Sequence, residues 1–410
     1  MIILLIILFI ISLILSFSKP SLLILFLIFI RPSLEYFSAN ILFTIYGINI
    51  NVNAIFILFT IIVASILLIK NKRFIIRKLV VTKYFLLFLI VAISGSIISE
   101  TSIKLSFEII LRWVGIFCFF IFGYYYNMSQ KYEKLTYIPN IILLSSIIPI
   151  IIAFWQIYTG TYNYYTSDLG RVQGTFEHPG ILGTYCVICL AYSLPLYLYN
   201  KRKNYVLMII ICLSIVLILT FFKTAWIGLL LIVLILFSKF KTYRSTYIII
   251  AILLGIIYLF YNDILSRLYD VNSLDWRTGV WNILLNNKSL NILGGGFGTT
   301  MNILKSMPYS TVTTAHNTYL ELFLDVGLIG LTIFLILHII MYKYSRYIYK
   351  SKEYIYRQMG FSGIMLTASF SVMYFAQTML NPIIQIYFWL LIGVNTGIKY
   401  NIDNVKLISH

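Results

Sequence analysis

Acidic residues are scarce in this chain. Only 13 Asp and Glu stand against 31 Lys and Arg, and charged residues of both signs make up 11% of the 410 positions. A soluble domain carries about 25% charged residues, so the composition excludes an ordinary water-soluble globule. Cysteine is also rare. Cys118, Cys186, Cys189 and Cys212 all lie in apolar runs, and no disulfide framework is implied. Cys186 and Cys189 form a C-x-x-C without two further ligands nearby, so they read as small apolar residues on one helix face rather than a zinc site. A basic n-region and a small-residue cleavage site are both missing at the N-terminus. Residues 1–17 therefore read as a retained helix and not as a secretory signal.

What is abundant is apolar sequence: 60% of residues are hydrophobic, with a mean hydropathy of +0.93. A membrane-spanning helix needs about 20 mainly apolar residues, and many such runs are present. In lipid only helices and closed barrels satisfy their own backbone. The runs are continuous and lack the ten-residue alternation of a barrel, so the expected fold is an all-α integral membrane protein in a single polytopic domain, residues 1–410. About twelve or thirteen spans are expected by the length rule, with Pro32 interrupting the second apolar stretch (21–38).

The net charge of +18 argues for topology rather than nucleic acid, because the basic residues cluster in short loops between apolar runs. Lys70, Lys72, Arg73, Arg77, Lys78 and Lys83 mark a cytoplasmic loop. From that anchor the sides alternate. Lys131, Lys134, Lys201, Arg202, Lys203, Lys239, Lys241, Arg244, Lys343, Arg346, Lys350, Lys352 and Arg357 fall inside. The two longest polar loops, 159–179 and 262–316, fall outside, the second between the tenth and eleventh helices.

These outer loops hold the candidates for chemistry. The first carries Tyr162, Tyr164, Tyr165, Asp168, Arg171, Glu177 and His178. Its tyrosines read as an interfacial belt or as platforms for sugar rings. Arg171, just before a helix opening at Pro179, either holds an anionic group or snorkels to headgroups. Lys223 stands at the outer tip of an apolar hairpin, where it snorkels or faces an anion in a cavity. In the second loop Arg277 lies on an amphipathic helix with Trp276 and Trp281. Gly294-Gly295-Gly296-Phe297-Gly298 matches neither a Walker loop nor G-x-G-x-x-G; it reads as a tight turn or as backbone able to approach phosphate. His316, beside Asn317, opens a helix on the aqueous side. A lone histidine is more often structural, but its ordinary pKa near 6.5 suits proton transfer there. His338, inside an apolar helix, reads as a packed residue.

His316-Asn317, nine residues, then Gly327-Leu328-Ile329-Gly330 resembles the H-N-x9-G-x-x-G signature of the bacterial O-antigen ligase and O-antigen polymerase family. Arg171 to Phe176 with His178-Pro179 resembles that family's arginine segment with G-T-F and H-P-N. Arg277 with Trp281 and the Gly294–Gly298 run resembles its R-x-x-x-W and glycine-rich block, and Glu321 and Asp325 sit where the family often carries acids. The resemblance covers about Arg171 to Leu331. Two departures stand out: Gly180 where the family usually has asparagine, and Phe222-Lys223 in place of a Ser-Arg pair.

The resemblance implies transfer of glycan from an undecaprenyl-pyrophosphate-linked oligosaccharide to an acceptor glycan at the outer face of the bacterial inner membrane. It implies His316, Arg171 and Arg277 as catalytic, and Lys223, Asn317, Glu177, His178, Tyr164 and Gly296 as substrate-binding. No Asp-x-Asp motif lies in the outer loops, so neither metal nor cofactor is expected, and displacement of a pyrophosphate predicts inversion. The lipid bilayer, a chain-length regulator and a flippase are the implied partners. Polymerase is favoured over ligase. A transporter would place charged or broken helices along a central path, whereas here the polar residues gather in the outer loops; a scaffold without chemistry would leave the motif order a coincidence.

Overall fold

The computed structural model describes residues 17–38, 41–45, 48–70, 79–98, 103–161, 170–199, 204–240, 257–268, 272–286, 292–306 and 314–408, with isolated positions between 12 and 15 and between 247 and 255. Apolar runs too long and too continuous for strands fold as helices. These are α1 (Pro20–Leu34), α2 (Val52–Lys70), α3 (Val80–Ile98), α4 (Ile103–Ser129), α5 (Tyr137–Ser145), α6 (Ile147–Thr159), α7 (Pro179–Tyr199), α8 (Asn204–Leu219) and α9 (Lys223–Phe240). After the short α10 (Tyr261–Leu268), α11 (Asn272–Asn286) and α12 (Thr299–Lys305) come α13 (Thr318–Tyr349), α14 (Tyr354–Ala376) and α15 (Pro382–Ile408). Among the described residues, eight spans are long and apolar enough to cross a membrane. The chain is a multi-pass membrane protein of the all-α class. The expected span at 2–17 lies almost wholly outside the described residues, and that at 246–261 lies there in part.

Three features depart from the sequence expectation. Pro32 does not interrupt its helix: α1 runs through it and continues as a 3-10 turn, Glu35–Phe37. Proline has no N–H for the carbonyl four residues back, and here Tyr387 Oη donates to that carbonyl, Ile28 O, at 3.0 Å. The expected single helix at 136–157 is split at Ser146 into α5 and α6. Pro149 lacks the donor that Ser145 O would accept, while the Ser145 and Ser146 hydroxyls turn back onto Ile142 O and Leu143 O. A two-stranded antiparallel hairpin, β1 (Ile41–Ile45) with β2 (Ile48–Asn51), joins the first turn to α2.

Helices in lipid gain little from hydrophobicity alone and associate by close packing, which favours small residues. The longest seam, α4 against α15, follows that rule: Gly123 faces Leu390 O and Gly393 faces Phe120 O, so the backbones meet directly. α7 is buried along nearly its whole length. It carries Cys186 and Cys189, both buried and unpaired by any disulfide. His338 is a packed residue, its Nδ1 2.9 Å from Phe334 O and its ring stacked on Phe388.

The alternation of helices gives the bundle two unlike ends. At one, Gln130 Nε2 donates to Ser21 Oγ, Ile355 N donates to Tyr132 Oη, and Arg357 lies over the Tyr199 ring. This joins the start of α1, the end of α4, the end of α7 and the start of α14. Lys131, Lys134 and the basic tail of α13 gather there. The other end collects the C-termini of α6, α8 and α14 and the N-termini of α7, α9 and α13, and it is built quite differently.

Candidate active site

The segment before α7 is fixed from two sides. Gln156, near the end of α6, accepts from Gln173 N and Gly174 N at 3.0 Å each, and Thr175 Oγ1 donates to Pro32 O at 2.8 Å. Arg171 is thereby held inward. It is 5% exposed, and its Nε donates to Thr220 O at 2.9 Å. Thr220 begins the α8–α9 turn, where Phe221 adopts a left-handed backbone at φ 46°. Two residues on, Lys223 opens α9, so this cation stands at the positive end of a helix dipole. Snorkelling is the weaker reading for Arg171, because its guanidinium is anchored in the protein.

Arg277 comes to the same place from α11. One guanidinium nitrogen donates to Ala376 O, the last carbonyl of α14, at 2.9 Å. Thr224 Oγ1 lies 3.5 Å from that carbonyl. The next residue, Gln377, meets His316: Nδ1 and Oε1 are 3.1 Å apart. The neighbouring Trp276 ring stands edge-on to the imidazole at 5.3 Å, and Trp281 Nε1 donates to Ala315 O at 2.8 Å. A run of contacts thus leads from Arg171 through the start of α9 and Arg277 to His316. His316 itself is left-handed, φ 51°, in a region that L side chains seldom occupy. Its strain is held by the tryptophan bond on one side and on the other by Asn317, which caps α13 through Leu320 N at 3.0 Å.

His178 faces this group. Its Nδ1 accepts from Gly180 N at 2.8 Å. Burial, with the charges of Arg171 and His316 beside it, pushes its pKa down to about 4. Burial also lowers that of His316, where the Gln377 bond acts in the opposite sense and Arg277 adds to the lowering. Both imidazoles are therefore neutral near pH 7. Glu177 accepts from Ser38 Oγ, whose carbonyl neighbour Glu35 forms a buried ion pair with Arg31 at 3.0 Å.

The glycine-rich run is a tight turn, with positive φ at Gly294, Gly296 and Gly298. It clasps α13. Gly298 N, Thr300 N and Thr300 Oγ1 all donate to the Asp325 carboxylate at 2.8–3.1 Å, and Gly295 N donates to Leu324 O. Opposite it Gly327 breaks the helix, with φ 68° and ψ −173°. Gly296 is buried, with Gly95 beside it and Thr299 bonded to its carbonyl. Glu321 is held by Thr378 Oγ1 at 2.7 Å.

Arg171, His178, Lys223, Arg277 and His316 are brought to one end of the bundle, with Asn317 as the cap that supports His316. Glu177 turns toward Ser38, and Gly296 belongs to the clasp. Tyr164 lies outside the described residues. Sequence reasoning missed Gln377, Ala376 O, Thr220 and Gln156. Gln377 stands four residues before Asn381-Pro382, which marks a turn between helices, and that is the only sequence signal near it. Among the described residues no three His, Cys, Asp or Glu side chains converge as a metal would need.

Residues 207–335 match the family model described as O-antigen ligase. That stretch includes Lys223, Arg277, the glycine-rich run and the H-N-x9-G-x-x-G signature, so the resemblance carried by these motifs is found independently, while the Arg171–Pro179 block lies outside the match. The chain carries an O-antigen ligase-family region, and the match supports glycan transfer of the O-antigen ligase and polymerase type by a glycosyltransferase-like enzyme. No curated protein matches the chain.

Proposed function

We propose that the protein polymerises lipid-linked oligosaccharide repeat units, transferring glycan from undecaprenyl pyrophosphate to an acceptor sugar hydroxyl at the outer face of the bacterial inner (plasma) membrane. The observation that carries this reading is the convergence of three cations and two neutral imidazoles at the end of the bundle opposite the basic loops. The leaving group is a pyrophosphate, and stabilising charge as it develops is the largest demand of the step. Arg171, Arg277 and Lys223 supply that charge, so the reaction runs without metal. His316 takes the acceptor proton. The acceptor oxygen bonds to the anomeric carbon while the carbon–oxygen bond to pyrophosphate breaks and its electron pair leaves with the phosphate. Attack from the opposite side inverts the anomeric configuration. His178 donates to a phosphate oxygen, and Tyr164 and Glu177 contact the glycan. The lipid enters laterally from the bilayer. A flippase delivers the donor, and a chain-length regulator sets product size.

The ligase reading, with lipid A–core or a protein as acceptor, shares this donor chemistry. The test is the purified protein with one synthetic undecaprenyl-pyrophosphate oligosaccharide and no other acceptor. A ladder of products supports the polymerase. Transfer only after lipid A–core or protein is added supports the ligase. A donor left intact in both reactions overturns the proposal.

A further inference from the structure

The two histidines hold their protons on different nitrogens. A backbone N–H can only donate, so His178 Nδ1, at 2.8 Å from Gly180 N, accepts and carries no proton; the neutral ring is then an Nε2–H donor. A side-chain amide oxygen can only accept, so His316 Nδ1, at 3.1 Å from Gln377 Oε1, carries the proton; its Nε2 holds the lone pair. Both rings are neutral, yet one offers a hydrogen and the other takes one.

The partner of His316 is not a flexible surface amide. Gln377 is the first residue beyond α14, with an extended backbone at φ −158° and ψ 147°. Thr318 Oγ1 donates to Gln377 O at 2.8 Å and accepts from Met379 N at 2.9 Å. Thr318 begins α13, two residues after His316. The segment bearing the amide is therefore stapled to the helix start that bears the imidazole.

We propose that Gln377 is a positioning residue that fixes His316 as the Nδ1–H tautomer, so that Nε2 faces the acceptor hydroxyl as the base. This rests on the glycan-transfer reading above. In the step, the acceptor proton moves to Nε2 and the imidazolium later releases it to water; Gln377 exchanges nothing. An amide suits this site better than a carboxylate. A carboxylate within 4–6 Å would raise the His316 pKa by about 1–3 and would also draw on Arg277, whose charge is needed at the pyrophosphate. The amide orients the ring and leaves the cationic surroundings of Arg277, Arg171 and Lys223 undiminished.

The test uses full-length protein in detergent, with Gln377→Leu and Gln377→Glu. Diethyl pyrocarbonate acylates a histidine only when its imidazole is neutral, and peptide mapping separates His316 from His178. The pH dependence of labelling at His316 therefore reports its ionisation without any turnover. In Gln377→Glu the midpoint of labelling should rise by about one pH unit or more, and the acid limb of the transfer rate should rise with it. In Gln377→Leu, kcat should fall about 10- to 100-fold with KM little changed. An unmoved labelling midpoint in Gln377→Glu, or a Gln377→Leu kcat within twofold of wild type, would overturn the proposal. Because labelling needs no glycan donor, a shifted midpoint in a protein that never turns over its donor would sustain the positioning role and sink the functional reading alone.

Discussion

Gly180 is pressed between His178 and Phe222: a Cβ on residue 180 would stand 2.9 Å from His178 Nδ1 and 3.1 Å from Phe222 Cε2. The two places where the sequence departs from the motif pattern it resembles are thus in contact. Phe222, just before α9, brings a large ring against the first turn of α7, where Gly180 has no side chain to meet it.

That contact predicts coupling. Gly180→Asn should lower the melting temperature in detergent, because overpacking costs about 1–3 kcal/mol. It should also displace the His178 ring. Adding Phe222→Ser should recover part of the loss, with a coupling of about 0.5–3 kcal/mol. Strictly additive melting shifts in the double-mutant cycle would show that the two positions do not compensate.

The lowered pKa of His178 predicts a pH effect on stability. The unfolded chain protonates this histidine below about pH 6.5, while the folded protein resists protonation until about pH 4. Between these values the unfolded state binds more protons, so stability falls as the pH falls. His316 contributes in the same direction. Melting curves from pH 7.5 to 4.5 should drop toward acid, and His178→Gln should flatten that slope. An equal slope in the variant would remove His178 as a source.

Arg277→Lys should cost turnover although it preserves charge. In the proposed mechanism Arg277 divides its donors between Ala376 O and the pyrophosphate, and a lysine cannot present that planar fork. Loss of one charge-stabilising donor costs about 100- to 1,000-fold in kcat. Lys223→Arg, by contrast, restores the fork at the start of α9 and should retain activity. Single-turnover rates on a lipid-pyrophosphate donor compare the two, and a fully active Arg277→Lys would remove Arg277 from the chemistry.

Asp325→Ala and Gly327→Ala should act on stability rather than on the chemical step. The first orphans two backbone N–H groups and leaves the Thr300 hydroxyl only its longer contact with Glu321 O, at about 1–3 kcal/mol for each buried donor orphaned. The second places a Cβ against Ile292 O and Gly294 N at a φ of 68°. Both should reduce the yield of folded protein extracted from membranes. Normal yield and melting temperature for both variants would show that the clasp is dispensable.

The sequence alone determined the membrane class, the alternation of basic and polar ends, and the order of Arg171, Lys223, Arg277 and His316. Those follow from quantities local to the chain: an apolar run long enough for lipid, a lysine cluster in a short loop, a motif with fixed spacing. The helix around Arg277 and the turn at Gly294–Gly298 were legible for the same reason. Pro32 was misread because its effect depends on a residue far away, Tyr387, which supplies the hydrogen bond that proline removes from Ile28 O. Gln377 carried no local signal, since an amide after a helix end has no periodicity or spacing that marks it. Only the packing of α14 against α13 places its oxygen on His316, and only that contact decides which nitrogen of the imidazole holds the proton. The same holds for Gly180 and Phe222, 42 positions apart in the chain and in contact only because α7 and α9 begin side by side. Composition and spacing act along the chain; tautomer, compensation and convergence depend on distances across it, which only the tertiary structure sets.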